Sequence, residues 1–136
     1  MTNMAYIIGI DPGTKTGIAA WNKKTKTFEC IKTCSIIEAM AILTATPNII
    51  KVRIEDARKR KWFGNAGREK LQGAGSIKRD CAIWQEFCTY YGLEYEMVPP
   101  SQIHTKMSAK MFKQITGYAG KTSNHARDAA IMVYGL

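Results

Sequence analysis

The chain has 136 residues, of which 46% are hydrophobic and 23% are charged, and its formal net charge is +9. This length and balance are typical of one globular domain, and we predict a single domain over residues 1–136. No apolar run approaches the ~18 residues of a membrane span, and the first residues lack the layout of a secretion signal. The sequence therefore argues against a membrane protein, and we expect a cytoplasmic one.

The positive charge is concentrated in one stretch of the chain. Residues 51–80 contain ten Lys or Arg against four Asp or Glu, a surplus of six positive charges. Clustered positive charge is typical of proteins that bind a phosphate backbone, although many charged runs are only solvated surface. Charge by itself therefore leaves both alternatives open.

The first third of the sequence predicts an antiparallel meander. Pro12 and Gly13 indicate a tight turn, because proline presets φ and glycine permits positive φ. A polar turn at residues 22–26 follows the next apolar run. The strands that these turns connect are predicted at residues 6–11, 17–21 and 28–33.

Helices and strands alternate after the meander. Ser35 and Glu38 have the spacing of a capping box, which begins a helix. The next strand, at residues 49–54, closes in Glu55 and Asp56. Because it is reached through a helix, we expect it to be parallel to an earlier strand. The remaining predictions are an irregular segment at 58–75, helices at 76–91, 108–115 and 124–134, and a strand at 93–98.

These elements predict an α/β fold with a mixed five-stranded sheet, three strands antiparallel and two parallel, flanked by helices. The helix at 76–91 carries a wide apolar stripe, which indicates packing on the sheet and, as an alternative, on a partner subunit as well. The stripe consists of Ile77, Cys81, Trp84, Cys88 and Tyr91. Together with Cys30 and Cys34, its two cysteines lack the spacing of a zinc site, so we interpret all four as buried thiols.

Acidic residues close two of the predicted strands. A carboxylate such as Asp11 at the end of an apolar strand is costly unless it is paired or binds a metal, although an Asp before a Pro-Gly turn is common. Glu55 and Asp56 close the parallel strand, and alternation allows only one of them to lie on the Asp11 side. Their alternative role is an ion pair with Arg53 or Arg58.

His125 and Asp128 are three residues apart on the last helix, so both project from one face. The plainer alternative is a surface histidine and an acid near a helix N-terminus, where negative charge is favoured. Together with the strand-end acids they lie on three elements that the topology would bring together. Oxygen-rich ligation with one imidazole suits Mg²⁺ or Mn²⁺, and two such ions about 4 Å apart can support phosphodiester hydrolysis.

Three ordered segments resemble the RuvC family of Holliday junction resolvases, which have an RNase H-like fold. Residues 8–17 (IGIDPGTKTG) are similar to the opening signature of the family, and residues 52–55 (VRIE) to its second acidic strand. Residues 125–130 (HARDAA) are similar to its carboxy-terminal helix motif, and residues 72–75 (QGAG) also resemble the family. The compact length is more similar to phage-encoded members than to typical bacterial ones.

The resemblance implies a homodimer that cuts two opposed strands of a four-way DNA junction and leaves 5′-phosphate and 3′-hydroxyl ends. It implies two Mg²⁺ ions per active site, which Mn²⁺ can replace, held by Asp11, Glu55 and Asp128, with His125 as the fourth catalytic and metal-site residue. Many relatives have an acid at the position of His125, so the number of bound ions stays open.

The expected DNA contacts are basic residues and two adjacent aromatic ones. The aromatic pair can stack on a base or anchor its own loop. Lys106 resembles a basic residue that relatives place near the scissile phosphate, and Lys110 or Lys121 are alternatives for it. The full set is Lys15, Arg58, Lys59, Arg60, Lys61, Trp62, Phe63, Arg68, Lys70, Lys106, Lys110 and Lys121.

Other functions are compatible with the same pattern. The same fold and metals could serve cleavage of flap DNA or structured RNA. A nucleotide-binding protein of the actin-like or sugar-kinase type also begins with a strand, an Asp and a Gly-rich hairpin, but needs a longer chain of two such domains. A non-catalytic module that binds branched DNA would have no need for clustered acids, which repel phosphate.

Overall fold

The computed structural model describes residues 4–59, 68–100 and 107–136, and for residues 59 and 68–74 it describes the backbone. The strands are β1 (Tyr6–Asp11), β2 (Thr16–Asn22), β3 (Thr27–Cys34), β4 (Ile49–Glu55) and β5 (Tyr95–Val98). The helices are α1 (Ile36–Ala45), α2 (Arg68–Tyr90), α3 (Ala109–Thr116) and α4 (Asn124–Ile131), with a short 3-10 helix, Ala57–Lys59, after β4. The order of strands and helices is the one that the sequence predicts.

The strands form one mixed sheet in the order β3-β2-β1-β4-β5. β1 pairs antiparallel with β2, which pairs antiparallel with β3, and β4 runs parallel to both β1 and β5. The predicted α/β fold with a mixed five-stranded sheet is therefore confirmed. β1 lies at the centre, and its carboxyl end adjoins the carboxyl end of β4 because Ile10 pairs with Ile54.

Helices cover both faces of the sheet, and alternation along β1 divides its side chains between them. Ile7 belongs to the core that contains Ala129 of α4. Ile8 and Ile10 belong to the opposite core, which contains Trp84 of α2 and residues of α1. The central strand is thus apolar on both sides, as a strand buried between two layers must be.

Two glycines allow α4 to lie directly on the backbone of β1 and β2. A Cβ added to Gly17 would be 2.1 Å from the carbonyl oxygen of His125, and one added to Gly9 would be 2.1 Å from the carbonyl oxygen of Ala129. Any larger residue at either position would force the helix away from the sheet. This close approach holds the first turn of α4 over the carboxyl end of β1.

Serine caps explain where three of the helices begin. The Ser35 hydroxyl accepts from the Glu38 backbone N–H at 3.1 Å, which confirms the predicted start of α1. Ser108 and Ser123 cap α3 and α4 in the same way. No helix in the described part of the chain is long and apolar enough to cross a membrane.

The structure corrects the prediction for α2 at both ends. The segment predicted as irregular is helical from Arg68, because its run of good helix formers outweighs a cost of about 1 kcal/mol per interior glycine. The helix ends at Tyr90, before Gly92 with its positive φ of 66°. The predicted apolar stripe is buried at its three central members, whereas Tyr91 is 54% exposed and does not belong to it.

Smaller corrections concern turns and element ends. Gly13 does not adopt positive φ. Its lack of a side chain matters instead for a close approach, since a Cβ there would be 3.1 Å from the carbonyl oxygen of Lys15. β5 begins at Tyr95 instead of residue 93, and α4 ends at Ile131 instead of residue 134, where the chain passes into turns.

The cysteines behave as the buried-thiol interpretation predicts on α2. Cys81 and Cys88 are buried and Cys30 and Cys34 are half-buried, all as free thiols. Burial raises the pKa of the Cys88 thiol to about 11 and also raises the pKa of Cys81. Both α2 thiols are therefore protonated near neutral pH and act as small apolar side chains.

Candidate active site

The three acids of the predicted site have very little exposed surface. Asp11 is 2% exposed, Glu55 is fully buried and Asp128 is 6% exposed. Asp11 ends β1 and Glu55 ends the neighbouring parallel strand β4, one residue beyond the pair formed by Ile10 and Ile54. The two acids therefore occupy adjacent positions where these neighbouring strands have their carboxyl ends.

Both strand ends present these acids on the side of the sheet that α4 covers. Arg53 donates from Nη1 to the carbonyl oxygen of Met132, just after α4, at 2.6 Å. Glu55 lies two residues further along β4 and shares that face by alternation. Asp11 shares the face of Gly9 in the same way, and Gly9 lies against Ala129 of α4.

The first turn of α4 is joined to the end of β1 by a side-chain contact. Nδ1 of His125 lies 2.9 Å from Oδ2 of Asp11, although the histidine side chain is 51% exposed. Asp128 follows three residues later and is buried. The exposed ring of His125 agrees with the plainer alternative, but its contact with Asp11 and the burial of Asp128 are not features of a solvated surface pair.

Asp56, the other acid that closes β4, has a different role. It accepts a bidentate interaction from Arg58, with Nε–Oδ1 at 2.7 Å and Nη2–Oδ2 at 3.1 Å. These hydrogen bonds raise the pKa of the Arg58 guanidinium. Arg58 also donates to Gln85 of α2 at 3.1 Å. The ion-pair alternative is thus realised by Asp56, which leaves Glu55 as the acid on the Asp11 side.

No protein-family model and no curated protein matches the sequence. Among solved structures, the chain is similar to T. thermophilus RuvC in complex with Holliday junction substrate. The TM-score is 0.62 at 16% identity, over 93% of this chain and 89% of that chain. The chain has a RuvC-like fold.

In this RuvC-like fold the donor set at the end of β1 suits Mg²⁺ or Mn²⁺, which prefer carboxylate oxygens and accept an imidazole. Among the residues that the structure describes, no three His, Cys, Asp or Glu side chains are grouped closely enough to hold an ion as they stand. One oxygen of Asp11 is engaged by His125. Metal ligation by Asp11, Glu55, His125 and Asp128 stays a prediction that rests on donor chemistry and placement.

The predicted DNA contacts divide by what the structure describes. Lys15, Lys110 and Lys121 are exposed, and Lys15 lies on the turn between β1 and β2, close to the end of β1. Arg58 is engaged by Asp56 and Gln85 as described above. The positions that lie outside the described side chains, and stay predictions, are Lys59, Arg60, Lys61, Trp62, Phe63, Arg68, Lys70 and Lys106.

Sequence reasoning missed Arg127, which fixes the start of α4. It is only 7% exposed. Its Nε donates to the carbonyl oxygen of Met107 at 2.7 Å. Its Nη1 donates to the carbonyl and hydroxyl oxygens of Thr122 at 2.7 and 2.9 Å, and its Nη2 donates to Asn124. One guanidinium therefore ties the segment before α3 and the loop before α4 to the helix that carries His125 and Asp128.

Replacing Arg127 with methionine should lower the free energy of unfolding by about 3 kcal/mol, because several buried acceptors lose a charged donor. We expect kcat for any reaction of the site to fall more than KM rises, since the loss disturbs the placement of His125 and Asp128 on α4. Urea unfolding and steady-state kinetics measure the two effects. Arg79→Met, at an arginine with a 68% exposed side chain, is the matched control and should change stability by less than about 0.5 kcal/mol.

Proposed function

We propose that the chain is a metal-dependent endonuclease that cuts branched DNA, with the four-way junction as its substrate. The observation that carries the proposal is the position of Asp11 and Glu55 at adjacent strand ends, beneath the turn of α4 that holds His125 against Asp11. The RuvC-like fold supports the reaction class. The T. thermophilus RuvC that shares this fold was solved with a Holliday junction substrate, which supports the choice of DNA.

The proposed chemistry follows from the donor set. Asp11, Glu55 and Asp128 would hold Mg²⁺ or Mn²⁺, two ions per site, which supply Lewis-acid stabilisation of the phosphate and an activated water when bound. His125 is oriented through Nδ1 by Asp11, and its half-exposed ring leaves Nε2 to meet the scissile phosphate or its water. The products would be 5′-phosphate and 3′-hydroxyl ends.

A four-way junction presents two equivalent strands for cleavage, so its resolution needs two active sites. We therefore include a homodimer in the proposal, because a two-fold protein places two copies of one site symmetrically. The net charge of +9 suits a substrate whose affinity comes mainly from phosphate contacts.

The test is cleavage of a substrate panel that contains a four-way junction, a flap, linear duplex, single strand and an RNA–DNA hybrid. With Mg²⁺ we expect junction cleavage at least about tenfold faster than cleavage of the linear duplex of the same sequence, and none in EDTA. Faster cleavage of the flap or the hybrid would change the proposed substrate but retain the proposed nuclease activity. Absence of cleavage across the panel in both Mg²⁺ and Mn²⁺ would contradict the proposal.

A further inference from the structure

A second basic surface lies at the far end of the sheet from the candidate active site. β2 runs from the position beside Asp11 to Asn22, and the turn from β2 to β3 carries three exposed lysines. They are Lys23, Lys24 and Lys26. The acid of this hairpin, Glu29, accepts from the Asn22 side chain at 3.5 Å, and the turn keeps a surplus of positive charge.

This turn has a fixed backbone. Asn22 is 1% exposed, and its Oδ1 accepts from the backbone N–H groups of Lys24 at 3.0 Å and Thr25 at 3.4 Å. The Lys26 N–H donates to the Asn22 carbonyl at 2.8 Å, and Lys26 has a left-handed φ of 59°. The lysines are therefore attached to a backbone that needs little ordering when a ligand binds.

A groove separates this turn from the end of α3. Its volume is ≈ 240 Å³, below the roughly 300–1,000 Å³ of a pocket for a small molecule, and Lys26, Trp21 and Thr116 contribute to its lining. Trp21 packs edge-on against Phe28 at 4.9 Å, which gives the groove an aromatic floor. Lys113 is exposed one helical turn before Thr116, so a second cation lies on the helix whose end lines the groove.

α3 connects the groove to the candidate active site on the same face of the sheet. The carbonyl of Met107, just before α3, accepts from Arg127 of α4. Thr116, at the other end of α3, lines the groove. The eight residues of α3 span about 12 Å, and the seven residues of β2 span about 23 Å. Exposed Lys110 lies between the two ends.

We propose that this groove, lined by Lys26 and neighboured by Lys113, Lys23 and Lys24, binds the phosphate backbone of one duplex arm of the DNA substrate. The inference rests on the proposed function. Taking the lengths of α3 and β2, about 12 and 23 Å, as the range of the separation places the contact about four to seven base pairs from the scissile phosphate, at about 3.4 Å per base pair. Lysines act on phosphate as point charges, so the contact is independent of base sequence.

The first test compares two double variants in junction binding without divalent metal. Lys26→Asn with Lys113→Gln removes the groove cations, and asparagine tolerates the left-handed backbone. Lys32→Gln with Lys51→Gln removes the same charge from lysines paired with acids elsewhere. Raising the salt from about 50 to 200 mM should weaken junction binding by the wild type and the control about tenfold more than binding by the groove variant. The reason is that two phosphate contacts add about 1.8 to the slope of log affinity against log salt concentration.

The second test neutralises the DNA instead of the protein. Methylphosphonate linkages about four to seven base pairs along an arm should weaken binding of the wild type and leave the groove variant unchanged, whereas linkages beyond about 15 base pairs should affect neither. If the near linkages weaken binding of both proteins equally while the wild type still cleaves junctions, the groove proposal is wrong and the proposed nuclease function is retained. A wild type that binds no junction would overturn both.

Discussion

Under the proposed function, replacing Asp11 with asparagine is expected to lower the rate of Mg²⁺-dependent junction cleavage by at least about a thousandfold, since the loss of a metal ligand costs several kcal/mol of transition-state stabilisation. Asparagine has the volume of aspartate and still offers an oxygen to Nδ1 of His125, so the contact between β1 and α4 can persist. The change removes one negative charge from a position that is 2% exposed. Junction affinity should therefore stay within about threefold of wild type.

Single-turnover cleavage at saturating protein measures this effect without a contribution from binding. Asp56→Asn is the matched control, because Asp56 closes the same edge of the sheet but is paired with Arg58. We expect Asp56→Asn to lose stability and to retain most of the cleavage rate. An Asp11→Asn protein that cuts junctions at the wild-type rate would remove Asp11 from the chemistry and would contradict the proposed function.

The positions of the acids illustrate what local sequence rules can predict. Asp11 and Glu55 each end an apolar strand, and a strand reached through a helix runs parallel to its neighbour, so the rules place both at one edge. The three-residue spacing of His125 and Asp128 puts them on one face of a helix. Each of these inferences needs only the period of an element and the topology of the sheet.

Contacts between elements distant in sequence were beyond those rules. Alternation allowed either Glu55 or Asp56 to lie on the Asp11 side, and the choice depends on which face of β4 α4 covers, which the hydrogen bond from Arg53 to Met132 identifies. Nothing in the sequence indicated the structural role of Arg127, because its acceptors on Met107 and Thr122 become neighbours only after folding. The start of α2 was missed for a different reason, since interior glycines argued locally against a helix that the surrounding residues favour.

The glycines under α4 lead to the second large effect. Gly17→Ala should lower the free energy of unfolding by about 3 kcal/mol, because its Cβ would lie 2.1 Å from the carbonyl oxygen of His125 and 2.4 Å from the carbonyl carbon. The obstacle is backbone, which cannot rotate away as a side chain can. The helix must therefore lift from β2 at the turn that carries His125, and the contact between His125 and Asp11 should weaken with it.

Urea unfolding of Gly17→Ala should be compared with that of Gly75→Ala, where an added Cβ on α2 meets nothing within 4 Å. The control should gain about 0.5–1 kcal/mol, since alanine favours an exposed helix interior over glycine. The folded fraction of Gly17→Ala should also cleave junctions more slowly than the wild type. Asp11→Asn differs, because it should lose cleavage but keep the wild-type free energy of unfolding. A Gly17→Ala protein with the wild-type free energy of unfolding would show that α4 does not lie this close to the sheet. The contact between His125 and Asp11 would then be wrong as well.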